Sequence, residues 1–236
     1  MSNPFLKDSL LRVSAQDHDV MTLSGTINKS IILWIFLAAG AFYSWTNFDV
    51  VTPLLLPILI GAFGLVTVST LKKTLAPYLS PLYAICEGLA LGIVSLYFER
   101  SCPGLVVKSV LLTICVLFCM LASYKAGILK TTSRFKKVMM FSTFAILLVY
   151  VADFVLNAFG IGNFSYIRSS SSLGVIMSFA IAVVASFNLV IDFDLIESAV
   201  TYSSPKYMEW YCAFSLMITL VWLYLEVLRF LSKLRD

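Results

Sequence analysis

The residues of this chain able to do chemistry are carboxylates set in apolar sequence. Glu87, Asp153, Asp192, Asp194, Glu209 and Glu226 all fall inside or at the edge of long uncharged runs. An ionised side chain at the centre of a bilayer costs several kcal/mol, so such acids persist where a partner or a proton compensates them. Low dielectric favours the neutral acid, and two neighbouring acids share a proton, so a pair of them would be a pH-sensitive cation site. At a rise of about 1.5 Å per helical residue, Glu87, Asp192, Asp194 and Glu209 collect toward one side of the membrane, and Asp153 and Glu226 toward the other. Asp192 and Asp194 are about 200° apart around a helix, so only one can face a bundle interior, whereas Asp194 and Glu197 share a face. Reaching the interface competes with function for the acids near span ends, and a hydrogen-bonded structural role competes with it for Asp153.

Other chemistries lack their residues. There is no Walker loop, no G-x-S-x-G and no H-E-x-x-H, and the only histidine, His18, lies outside the apolar runs, so neither an enzyme nor a cofactor is expected. Asp153 and Asp192 lie at different depths, which argues against an intramembrane aspartyl protease. Cys86, Cys102, Cys115, Cys119 and Cys212 sit in or beside apolar runs with no CxxC pair, and read as buried small apolar residues. Cys115 and Cys119 share a helix face but have no histidine nearby to complete a zinc site. No metal site is assigned. The net charge of +4 comes from basic residues dispersed at span edges, which orient a chain in a membrane and form no nucleic-acid groove.

The elements that must position these acids are spans. With 60% hydrophobic residues, 13% charged residues and a mean hydropathy of +0.92, the chain has too little polar surface for a water-soluble globule of 236 residues. Seven runs are long enough to cross a hydrocarbon core about 30 Å thick: residues 30–48, 50–71, 80–98, 104–124, 138–159, 173–191 and 207–231. They are too long for barrel strands. The fold expected is an all-α seven-helix membrane bundle, residues 30–236, preceded by a cytoplasmic amphipathic leader, residues 1–29.

Eleven Lys and Arg residues lie on the N-terminal side of the membrane and five on the other, which places the N-terminus in the cytoplasm. Three of those five are the tail residues Arg229, Lys233 and Arg235. A six-span form with one late segment re-entrant, returning the C-terminus to the cytoplasm, therefore stays open. Lys108 snorkels to an interface. Gly88 and Gly92 form a small-xxx-small pair suited to close helix approach, and Trp34, Trp45, Trp210 and Trp222 fall largely toward span ends as interfacial anchors.

The segment Asn188-Leu-Val-Ile-Asp-Phe-Asp-Leu-Ile-Glu197, then Pro205-Lys-Tyr-Met-Glu-Trp210 and Val221-Trp-Leu-Tyr-Leu-Glu-Val-Leu-Arg-Phe-Leu-Ser-Lys233, resembles the bacterial YccA-like branch of the Bax inhibitor-1 family. Asn3-Pro4, Met21-Thr22, Gly25-Thr26 and Pro81-Leu-Tyr-Ala-Ile-Cys-Glu-Gly88 with Gly92 extend the resemblance over nearly the whole chain. It implies a bundle whose last helix is surrounded by the others, in the cytoplasmic membrane, with a pH-sensitive calcium leak controlled by two aspartates. Asp192 occupies the first aspartate's position. The second lies ten residues before an arginine, and counting back from Arg229 reaches Thr219, which is not an acid. Glu226 or Glu87 is a candidate replacement. The basic latch partner at the end of the second helix corresponds to Lys72 or Lys73.

Two functions follow from the resemblance. One is a pH-gated leak channel with calcium as permeant ion, Asp192 as titrating acid, and Lys72 or Lys73 as its closed-state partner. The other is an interaction protein without a pore that restrains a membrane protease or another membrane partner, with the leader as its handle. The family's stress-protective roles fit both.

Overall fold

The apolar runs fold as helices because backbone in oil must satisfy its own N–H and C=O groups, and a helix does so within one segment. The structure, a computed structural model, describes residues 20–159 and 171–235. Most of the expected leader, with His18, and Arg168 lie outside the described residues. In chain order the helices are α1 (Leu23–Thr46), α2 (Leu55–Leu71), α3 (Ala76–Ser101), α4 (Leu105–Lys125), α5 (Ser133–Ala158), α6 (Ser172–Thr201) and α7 (Tyr207–Lys233). A short helical run Phe48–Val51 and a 3-10 turn Thr52–Leu54 lead into α2, and a 3-10 turn Lys73–Leu75 leads into α3. Among the described residues there is no β-strand, only an isolated bridge between Val20 and Pro205.

All seven segments are long and apolar enough to cross a membrane, the two late ones included, which favours seven spans over six. Large apolar side chains such as Phe42, Leu56, Ile60, Phe63, Phe141 and Leu147 are exposed; lipid is the solvent that suits them. The last helix is the most enclosed: 61% of the apolar window of α7 is buried, against at most 44% elsewhere.

The chain gathers into two compact units. One is built from α1, α2, α3, α6 from Asp192 onward and α7 as far as Ile218; the other from α4, α5, α6 as far as Ile191 and α7 from Thr219. In the first, α1 and α3 approach closely through glycines. A Cβ on Gly88 would strike the Leu37 carbonyl, one on Gly40 the Ile85 carbonyl, and one on Gly92 the Ser44 hydroxyl and the Ala41 carbonyl. In the second, the Lys233 ammonium donates to the Gly174 carbonyl at 3.1 Å and to the Ser178 hydroxyl at 2.7 Å, tying α7 to the start of α6. The Asn188 amide reaches Thr143 of α5 at 3.1 Å.

Helix ends explain where the expected boundaries shift. α1 starts at Leu23 rather than near residue 30, because Thr22 caps it by accepting from the Gly25 N–H. α6 continues past residue 191 to Thr201 and closes with two bonds, Ser203 N–H to the Val200 carbonyl and Ser204 N–H to the Ala199 carbonyl, both 3.0 Å. Ser203 takes the left-handed position of this motif, with φ 51°. At the end of α4 the same motif uses Gly127, φ 70°, where no Cβ opposes it. As a result Asp192 is not the end of its helix but lies roughly 13 Å inside it, at about 1.5 Å per residue.

Candidate functional site

Asp192 projects into the first unit and is 6% exposed. Its Oδ1 accepts from the Ser215 hydroxyl at 2.7 Å. Tyr211 and Cys212 lie four and three positions before Ser215, about one turn back on α7. Cys212 lies within electrostatic reach of both Asp192 and Lys73, Tyr211 within reach of Asp192, and the Lys73 ammonium stands 4.8 Å from the centre of the Tyr211 ring. An acid on α6 and a cation in the turn before α3 thus lie near the same residues of α7. Lys72 is exposed, so of the two latch candidates Lys73 is the one placed near these residues.

Glu87 borders the same region. It is half-buried on α3 and shares a hydrogen bond with Tyr83 one turn back. The Tyr83 ring meets Phe214, next to Ser215, edge-on at 5.0 Å. Asp194 is half-buried and Glu197 exposed, so of the acids in this stretch Asp192 is the one turned fully inward.

Glu209 is 2% exposed at the start of α7, deeper than a residue that only reaches an interface. Its Oε1 accepts from both the N–H and the hydroxyl of Thr22 at 3.0 Å, and Lys29 lies 3.8 Å from Oε2.

In the second unit Glu226, 1% exposed, receives three donors on Oε1: the Tyr150 hydroxyl at 2.7 Å, the Trp222 indole N–H at 3.2 Å and Arg229 at 3.0 Å. Arg229 also donates to the Tyr150 hydroxyl at 3.0 Å. Glu226 is thereby compensated by an arginine one turn away, and Trp222 serves it as a donor rather than only as an interfacial anchor. Thr219 is half-buried on α7 and Asp153 is buried on α5. Cys115 and Cys119, expected to be buried, are exposed on α4; as small apolar groups they are tolerated against lipid.

Reasoning from sequence did not single out Ser215, Tyr211, Tyr83, Tyr150 or Thr22, the hydroxyl-bearing partners of the acids. Thr22 and Tyr83 fall within motifs that carry the resemblance, and Tyr211 and Ser215 stand a single turn apart on α7. Among the described residues no group of three or more His, Cys, Asp or Glu side chains able to hold a metal ion comes together.

Seven spans with carboxylates held inside them define a polytopic, all-helical membrane protein. A family model described as Bax inhibitor 1 like matches residues 3–236, and the chain belongs to that family. Neither the curated proteins nor the solved structures returned a match.

Proposed function

We propose that this protein is a pH-sensitive cation leak channel of the cytoplasmic membrane, with calcium as the permeant ion and no enzymatic activity or cofactor. The observation that carries this reading is the placement of Asp192, buried within α6 and bonded to Ser215, with Lys73 near the same residues of α7. A carboxylate there holds its negative charge against a cation and a hydroxyl, and protonation cancels the attraction that keeps the elements together. Calcium, a hard cation, suits carboxylate and carbonyl oxygens along such a path. The N-terminus faces the cytoplasm on this reading, following the excess of Lys and Arg on its side.

Purified protein in liposomes tests the reading. Calcium flux should exceed that of empty liposomes and change between mildly acidic and mildly alkaline buffer. Lys73→Gln should alter the pH profile while Lys72→Gln leaves it in place. Flux no greater than in empty liposomes at either pH would overturn the channel and favour the pore-free protein that restrains a membrane protease.

A further inference from the structure

We propose that Glu209 is a positioning residue: by clasping the start of α1 it sets the first turns of α7 against Asp192 and so sets the leak of the closed protein. This deepens the channel reading and rests on it.

The clasp is specific. The Thr22 hydroxyl accepts from the Gly25 N–H while donating to Glu209, so one side chain caps α1 and ties it to a residue 187 positions away. The carboxylate lies at the N-terminus of α1, where unpaired N–H groups and the helix dipole favour negative charge. Gly25 makes the room, because a Cβ there would overlap the Glu209 carboxylate. Lys29 flanks the acid at 3.8 Å and stands 5.6 Å from the centre of the adjacent Trp210 ring. Backbone reinforces the tie: the Met21 N–H donates to the Ser204 carbonyl at 2.8 Å, and Val20 bridges Pro205.

The clasp is continuous with the Asp192 site. Met21 belongs to one buried cluster with Ile196, Ala199, Met208 and Cys212, against which Tyr211 packs. Cys212 and Tyr211 each lie within reach of both Asp192 and Lys73. From Glu209 to Ser215 is less than two turns of one helix, too short a stretch to bend, so movement of the clasp is movement of the Asp192 partner.

The test uses the full chain in liposomes, with Cys86, Cys102, Cys115 and Cys119 replaced by serine so that a small maleimide reads Cys212 alone. Glu209→Ala should raise labelling of Cys212 about five- to tenfold, the scale of one lost hydrogen-bonded cap, and should raise the calcium leak. Gly25→Ala, which crowds the acid instead of deleting it, should do the same. Glu209→Gln should stay near wild type, since its amide oxygen still accepts from Thr22 and the partly exposed Lys29, 3.8 Å from the acid, can turn toward solvent or headgroups. A Val20→Cys, Pro205→Cys disulfide should restore the wild-type leak to Glu209→Ala when oxidised and lose that rescue on reduction. Unchanged Cys212 labelling in both Glu209→Ala and Gly25→Ala, or a leak in Glu209→Ala that the disulfide does not restore, overturns the positioning role. Faster labelling in liposomes that carry no flux even for wild type keeps the clasp and overturns the channel.

Discussion

The Ser215 hydroxyl donates to Asp192 Oδ1 at 2.7 Å, joining α7 to the interior of α6. Ser215→Ala leaves that buried oxygen without this donor, at an expected cost of about 1–3 kcal/mol. Ser215→Thr keeps the hydroxyl and should recover most of it. Thermal unfolding in detergent reads both variants, and equal stability of Ser215→Ala and wild type would show that the bond contributes nothing.

Glu226 and Arg229 form an ion pair whose two members are unequally buried, with side chains 2% and 39% exposed. Removing the exposed partner is therefore the worse change, since Arg229→Ala strands a buried carboxylate on Tyr150 and Trp222 alone. Glu226→Gln leaves an arginine that can reach solvent or headgroups. The expected losses are about 2–4 kcal/mol for Arg229→Ala and about 1 kcal/mol for Glu226→Gln. The reverse order in a denaturation series would contradict this account of the cluster.

Glycines on α2 and α3 should respond in opposite ways to alanine. At Gly88 an added Cβ meets the Leu37 carbonyl, whereas at Gly61 and Gly64 it meets nothing. Gly88→Ala should force α1 and α3 apart and destabilise the protein. Gly61→Ala should be neutral or stabilising by up to about 1 kcal/mol, because alanine loses less entropy in a helix. Melting temperatures of the two variants in one detergent make the comparison.

Ser203 sits at φ 51°, a conformation costing a residue with a Cβ about 1 kcal/mol. Ser203→Gly should raise stability by that order, with the closing bonds of α6 kept. A lower melting temperature would mean the serine side chain has a role that outweighs the backbone strain.

The seven spans were legible because their apolar runs are long and bounded by charge, and Asp192 was legible because an acid in such a run demands compensation. The first boundary was not. α1 begins early because Thr22 caps it, and the Glu209 that holds Thr22 comes from the far end of the chain, where no local pattern announces it. Glu209 itself read as an interfacial acid for the same reason. Glu226 could be read as a replacement for the acid missing at Thr219 because the two share a helix face; its compensation by Tyr150 depends on how α5 lies against α7. The choice between Lys72 and Lys73 needed the turn Lys73–Leu75, which directs one lysine to Tyr211 and leaves the other exposed.

Calcium flux through Asp192→Asn, measured beside wild type across the same pH series in liposomes, tests the central claim most directly. Asparagine keeps the shape and an acceptor for Ser215 but cannot exchange a proton, so the account predicts a leak that no longer follows pH. A variant whose flux rises and falls with pH as wild type does would contradict it.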